Sequence, residues 1–163
     1  MNPQLPSQWT PLDLGLEAMA AAGLVAQLGI VLPRLPQLPG RIPVHFDFAG
    51  RPDRWGSRAE FNLLPVVSLL VFVLLTVVAR LPHLANYPVA ITPDNAARQY
   101  RLAMIMLTLI KAEIMWMLAF LGWKITRVAA GQASGLGRGF LFVFLGTMLG
   151  TPLVWVALTF RSR

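Results

Sequence analysis

The chain has 163 residues and a formal net charge of +7, yet only 13 % of its residues are charged and 56 % are hydrophobic. A disordered chain needs the opposite balance, and a soluble enzyme of this length could not hide so much apolar surface in one small core. Cysteine is absent, which removes disulfides, thiolate metal sites and a cysteine nucleophile, and a mean hydropathy of +0.61 points to lipid as the solvent.

The first apolar span runs from Leu12 to Leu32, with Asp13 and Glu17 near its start. No basic segment precedes it, so a cleaved signal peptide is not expected. Ala18, Ala22 and Ala26 recur every four residues and predict a small-residue packing face.

A polar loop, residues 33–60, follows and is rich in Pro, Gly and Arg. His45, Asp47 and Asp53 are nitrogen and oxygen ligand types, but with one histidine and no cysteine in the loop a metal site is not expected. Asp47 and Asp53 are expected to cap backbone amides, Gly50 to take a positive-φ turn, and Trp55 to sit at the membrane interface.

Phe61 to Ala79 is a second span, free of formal charge, and Pro65 is expected to kink it. In residues 80–101, His83 reads as a headgroup-level residue. Thr92, Pro93 and Asp94 predict a helix start, with Thr92 at the N-cap. That helix is expected to continue into a third span, Leu102 to Trp123, and to end near Ile125.

Lys111 and Glu113 interrupt the third span, and an ionisable group at that depth normally faces other helices and has a partner. Two residues apart on a helix, they point about 200° away from each other and cannot pair well. Spans one and three run in the same direction. Glu17 lies about 8 Å into the first and Lys111 about 14 Å into the third, and a lysine stem can bend back toward the surface. Glu17 and Lys111 are therefore expected to pair as a register lock, with proton or ion relay as the alternative.

The third loop, residues 124–138, carries Gly131, Gly135 and Gly137 and reads as a mobile turn. The last span, Gly139 to Phe160, holds Pro152, which is also expected to kink its helix, and a Gly146–Gly150 pair at GxxxG spacing. Close packing inside the bundle is favoured for that pair over a dimer face. The fold class is thus an all-α integral membrane protein, a single domain of four transmembrane helices in a small bundle with an ordered loop between the first two.

Four spans put the first and third loops on one side, with eight Lys and Arg against five on the other. The positive-inside rule leans toward a cytoplasmic first loop. The bases flank apolar runs instead of forming a basic helix, so nucleic acid is not an expected partner. No catalytic triad, nucleotide loop or paired carboxylates occur, and neither an enzyme activity nor a cofactor is expected.

The loop residues Ile42, Pro43, His45, Phe46, Asp47, Gly50, Asp53, Trp55, Gly56, Ser57 and Arg58 resemble the signature of the membrane family known as domain of unknown function 1648. This domain also forms the N-terminal part of SdpI-type immunity proteins. A second stretch resembles the segment that follows in many members. It contains Asn86, Tyr87, Pro88, Ile91, Thr92, Asn95, Gln99 and Tyr100. The likeness covers about residues 12 to 125. Arg58 stands where the family usually has Lys, and four spans leave the additional C-terminal helices of SdpI-type proteins without a counterpart. The resemblance implies helical hairpins in a bacterial inner membrane. For SdpI-type members it implies resistance to, and signalling of, a membrane-active peptide toxin, with the loop outside the cell. The charge count leans the other way.

Three functions are compatible with these features. The favoured one is a binding or accessory membrane subunit, whose partners are the lipid bilayer and a larger membrane complex or a peptide, with an oligomer as a further form. SdpI-like immunity or signalling is second. A small transporter or proton path through Glu17, Lys111 and Glu113 is third.

Overall fold

The structure is a computed structural model that describes residues 9–162. Arg163, counted above among the basic residues of its side, lies outside them. Four helices are long and apolar enough to cross a membrane. Helix α1 spans Pro11–Val31, α3 spans Leu63–Ala79, α4 spans Ala96–Ala129 and α5 spans Phe140–Arg161, with a short α2 at Arg58–Phe61. The expected all-α class holds, with one addition: the first loop contains an antiparallel hairpin of β1 (Arg41–Phe46) and β2 (Pro52–Ser57).

Local chemistry explains the helix ends. Thr10 caps α1: its backbone N–H donates to Asp13 Oδ2 at 2.7 Å while the Asp13 N–H donates to Thr10 Oγ1 at 3.4 Å. Pro11 fills the first helical position, where no N–H is needed. The second span, Arg58–Ala79, is interrupted at a single residue, Asn62, whose backbone stays in the helical region (φ −63°, ψ −20°). Pro65 lacks the N–H that would reach the Phe61 carbonyl, and the full-length helix starts at Leu63. Pro152, by contrast, lies inside α5, which stays helical across it.

Helix α4 begins one turn later than the sequence predicts, at Ala96 with Asn95 as its N-cap. Thr92 to Asn95 form a turn instead. The Thr92 N–H donates to Asn95 Oδ1 at 2.9 Å, and the Ala96 N–H donates to the Thr92 carbonyl at 2.9 Å. The other end runs past Ile125 to Ala129.

Helices α1, α3 and α4 form the tight part of the bundle, and α5 packs chiefly against α4. Lipid is as apolar as the side chains, so burial alone does not hold these helices together; close approach and polar contacts must. On α1 the face of close approach is not Ala18 and Ala22, which are exposed, but Ala20 and Gly23, which are buried. A Cβ at Gly23 would lie 2.9 Å from Met115 Cβ and 3.1 Å from the Trp116 backbone nitrogen. The α1 helix drifts with a 3.6-residue turn, so a strict four-residue spacing walks off the contact line.

Candidate functional site

At the first-loop end, the hairpin sits on the bundle. Ile42 is fully buried and packs with Val31, Leu38, Phe61 and Ile125. Pro43 is buried opposite Trp55, whereas Trp55 itself is 44 % exposed at the edge of the bundle. Phe46 packs partly against the same cluster. The turn between the strands is closed by the Asp47 N–H donating to the Arg51 carbonyl at 2.8 Å and the Arg51 N–H donating to Asp47 Oδ1 at 2.8 Å. Gly50 has φ of +73°, the positive value expected for it.

Asp53 does not cap backbone amides. Its Oδ1 lies 2.6 Å from His45 Nδ1 across the bulged strand pair. Both side chains are at least 45 % exposed, so this is a surface cross-strand pair. Arg58 donates to the carbonyls of Pro36 at 3.2 Å and Leu38 at 3.4 Å, which fixes the descent from α1 into β1. Gly56 lies where Glu60 folds back to accept the Ser57 N–H at 2.9 Å. The signature residues therefore build one folded unit. Among the described residues no three His, Asp or Glu side chains gather as a metal site would require.

The third loop is docked, contrary to its reading as a mobile turn. The Leu136 N–H donates to the Gly50 carbonyl at 2.7 Å, and Gly135 lies against the same carbonyl. A glycine at 135 is what permits that approach, since a Cβ there would collide with Gly50 O.

Within the membrane, Lys111 is fully buried, and its Nζ lies 2.6 Å from Glu17 Oε2 and 2.9 Å from Thr76 Oγ1. It also stands 4.9 Å over the Phe72 ring. Nearer the surface, one turn along α1 from Glu17 and nearly three along α4 from Lys111, Arg101 donates to Asp13 Oδ2 and to Thr10 Oγ1, each at 2.6 Å. The sequence reading missed this second clamp between α1 and α4. The depth argument that pairs Glu17 with Lys111 would have found it.

Glu113 faces the other way, as its angular offset from Lys111 requires. Thr151 Oγ1 donates to Glu113 Oε1 at 2.5 Å, while Oε2 is buried without a partner. Glu113 lines two crevices beside the α4–α5 contact. One, of about 590 Å³, is walled by Met19, Trp116, Phe120, Phe140 and Phe144. The other, of about 340 Å³, runs past Gly146 and Gly150. The expected close packing of those glycines inside the bundle is not found: nothing lies within 4 Å of a Cβ built on either.

The second motif ties α4 to the last helix. Gln99 is fully buried and donates through Nε2 to the carbonyls of Thr159 and Ser162, both at 3.1 Å. Tyr100 is buried, its ring 5.8 Å from that of Tyr87, which lies 6.1 Å from Trp155. The Tyr87 hydroxyl donates to the Pro82 carbonyl at 2.9 Å, and burial, with Tyr100 beside it, pushes the phenol up to about 12. Thr92 and Asn95 close the turn before α4, whereas Asn86 and Pro88 are exposed in the loop.

Residues 22–69 match the family described as a domain of unknown function, DUF1648, a stretch that takes in the end of α1, the hairpin and the start of α3. An uncharacterized protein of Archaeoglobus fulgidus is 38 % identical over 60 residues, which cover 32 % of this chain and 33 % of the relative. The chain thus spans about a third of the length of the curated relative it matches. No solved structure matches.

Proposed function

We propose that this multi-pass membrane protein is a non-enzymatic binding or accessory subunit that receives a transmembrane helix of a partner against α5. The observation that carries the reading is the setting of Glu113. A carboxyl oxygen without a partner, beside an open Gly146–Gly150 face, is costly in hydrocarbon. A partner helix that brings a hydrogen-bond donor and packs on the glycines would remove both defects. Single-cysteine crosslinking tests this, because the native chain has no cysteine. Gly146→Cys in native membranes is expected to give an adduct of defined mass that weakens when Glu113→Leu is added. A monomer in mild detergent with no adduct at 146 or 150 counts against it.

Immunity or signalling of the SdpI type is the second reading, and the rigid hairpin favours it as a surface for a peptide. Expression in a toxin-sensitive strain tests it, and unchanged killing counts against it. Transport through Glu17, Lys111 and Glu113 ranks third, because Lys111 is already held by Glu17 and Thr76 in a closed arrangement. A proteoliposome flux unaffected by Glu113→Gln would remove that site. All three readings put the chain in a cell membrane, of the bacterial inner-membrane kind, and assign it no reaction.

A further inference from the structure

At the first-loop end, a polar cleft of about 310 Å³ opens between the 3₁₀ turn Leu32–Gln37 and the last turns of α4. Arg34, Gln37, Trp123, Thr126, Arg127 and Gln132 line it, and no acidic residue does. Both guanidinium groups are positioned. Arg34 Nη1 donates to the Ile30 carbonyl at 2.7 Å, and the Arg127 guanidinium carbon lies 5.5 Å from the Trp123 ring centre. Neither arginine is in an ion pair among the described residues.

The acids of the first loop are engaged elsewhere. Asp47 and Glu60 accept backbone N–H groups, and Asp53 pairs with His45. Two like charges facing one cleft, most of their donors unused, form a site whose complement is an anion. The planar fork of arginine matches the oxygens of a phosphate bidentately. Trp123 marks the depth as that of the headgroups. Gln37 and Gln132 add neutral polar groups at the rim.

We propose that the Arg34–Arg127 cleft binds an anionic phosphate group, carried either by a phospholipid headgroup or by a free phosphate. This rests on residues that the α5 reading does not use, so either can fail alone. The test uses the full chain with native mass spectrometry in mixed phosphatidylglycerol and phosphatidylcholine, and calorimetric titration with inorganic phosphate. In the variant carrying Arg34→Ala and Arg127→Ala, preferential retention of phosphatidylglycerol is expected to fall about thirty-fold. The equal-charge control with Arg51→Ala and Arg54→Ala, on the same side, is expected to retain it. Phosphate binding by the native chain that the cleft variant loses, without lipid preference, would identify the free anion as the source. If the alanine variant fails to fold, Arg34→Lys with Arg127→Lys keeps the charge and removes the fork, and reduced retention is still expected. A cleft variant that binds both ligands as the native chain does, or a control that loses as much, overturns the proposal.

Discussion

Lys111 Nζ lies 2.6 Å from Glu17 Oε2, a contact between residues 94 positions apart that joins α1 to α4 inside the membrane. Removing one partner leaves the other charge without compensation, which typically costs about 3–5 kcal/mol. Lys111→Leu is therefore expected to lower thermal stability in detergent sharply. Adding Glu17→Leu is expected to recover much of the loss. Additive effects in the double-mutant cycle would refute the coupling.

Two glycines should respond in opposite ways to the same substitution. Gly23→Ala forces a Cβ against Met115 and the Trp116 backbone, and is expected to cost about 1–3 kcal/mol. Gly146→Ala meets open space and gains helix propensity, so the isolated chain should be unchanged or steadier by about 0.5–1 kcal/mol. Thermal unfolding of both variants in one detergent checks the contrast. Equal destabilisation would mean that the α5 face is packed after all.

Gly135→Ala is expected to free the third loop from the hairpin without unfolding the helices. The readout is hydrogen exchange at the Leu136 amide, which donates to the Gly50 carbonyl in the native chain. Unaltered protection at Leu136 would show that the close approach of Gly135 does not matter.

Tyr87 supplies a pH dependence. Its phenol titrates at about 12 when folded against 10.0 for the free group. The folded state therefore holds the proton more tightly, so this contribution is complete below pH 10 and is lost as the pH rises through 12. Tyr100→Phe leaves Tyr87 as the single tyrosine for an ultraviolet titration and removes the lesser cause of its shift, so the midpoint is expected to stay above the free value through burial alone. A midpoint at the free value would contradict its burial against Trp155.

Trp55→Cys reports sidedness. The first and third loops meet in the structure and together carry eight bases against five on the other side, so the positive-inside rule leans toward a cytoplasmic Trp55. Labelling by an impermeant thiol reagent is expected only in inverted vesicles. Labelling of intact cells would reverse the orientation and strengthen the peptide-toxin reading.

The helices were legible because length and hydropathy alone define a membrane span, and Glu17 with Lys111 because burial forces charges to meet at matched depth. What was not legible depends on three dimensions. The identity of the α1 packing face turned on helical drift. The docking of Gly135 on Gly50 is a long-range backbone contact without a side-chain signature. His45 and Asp53 became partners only because the loop folds into a hairpin, whose pairing of Pro43 with Trp55 and Phe46 with Pro52 brings them across from each other. The interruption at Asn62 lies where the expected Pro65 irregularity falls, since Pro65 deprives Phe61 of its helical donor.

The segment that docks on Gly50 is also the segment that leads into α5. The hairpin and the last helix therefore share a tether only a few residues long. A force or a binding event that shifts α5 sideways must strain or release the Leu136 bond, and whatever grips the hairpin must in turn restrict where α5 can lean. Events in the hydrocarbon and events at the water-facing surface thus have a mechanical route to one another, without any change in the three helices that form the rigid part of the bundle.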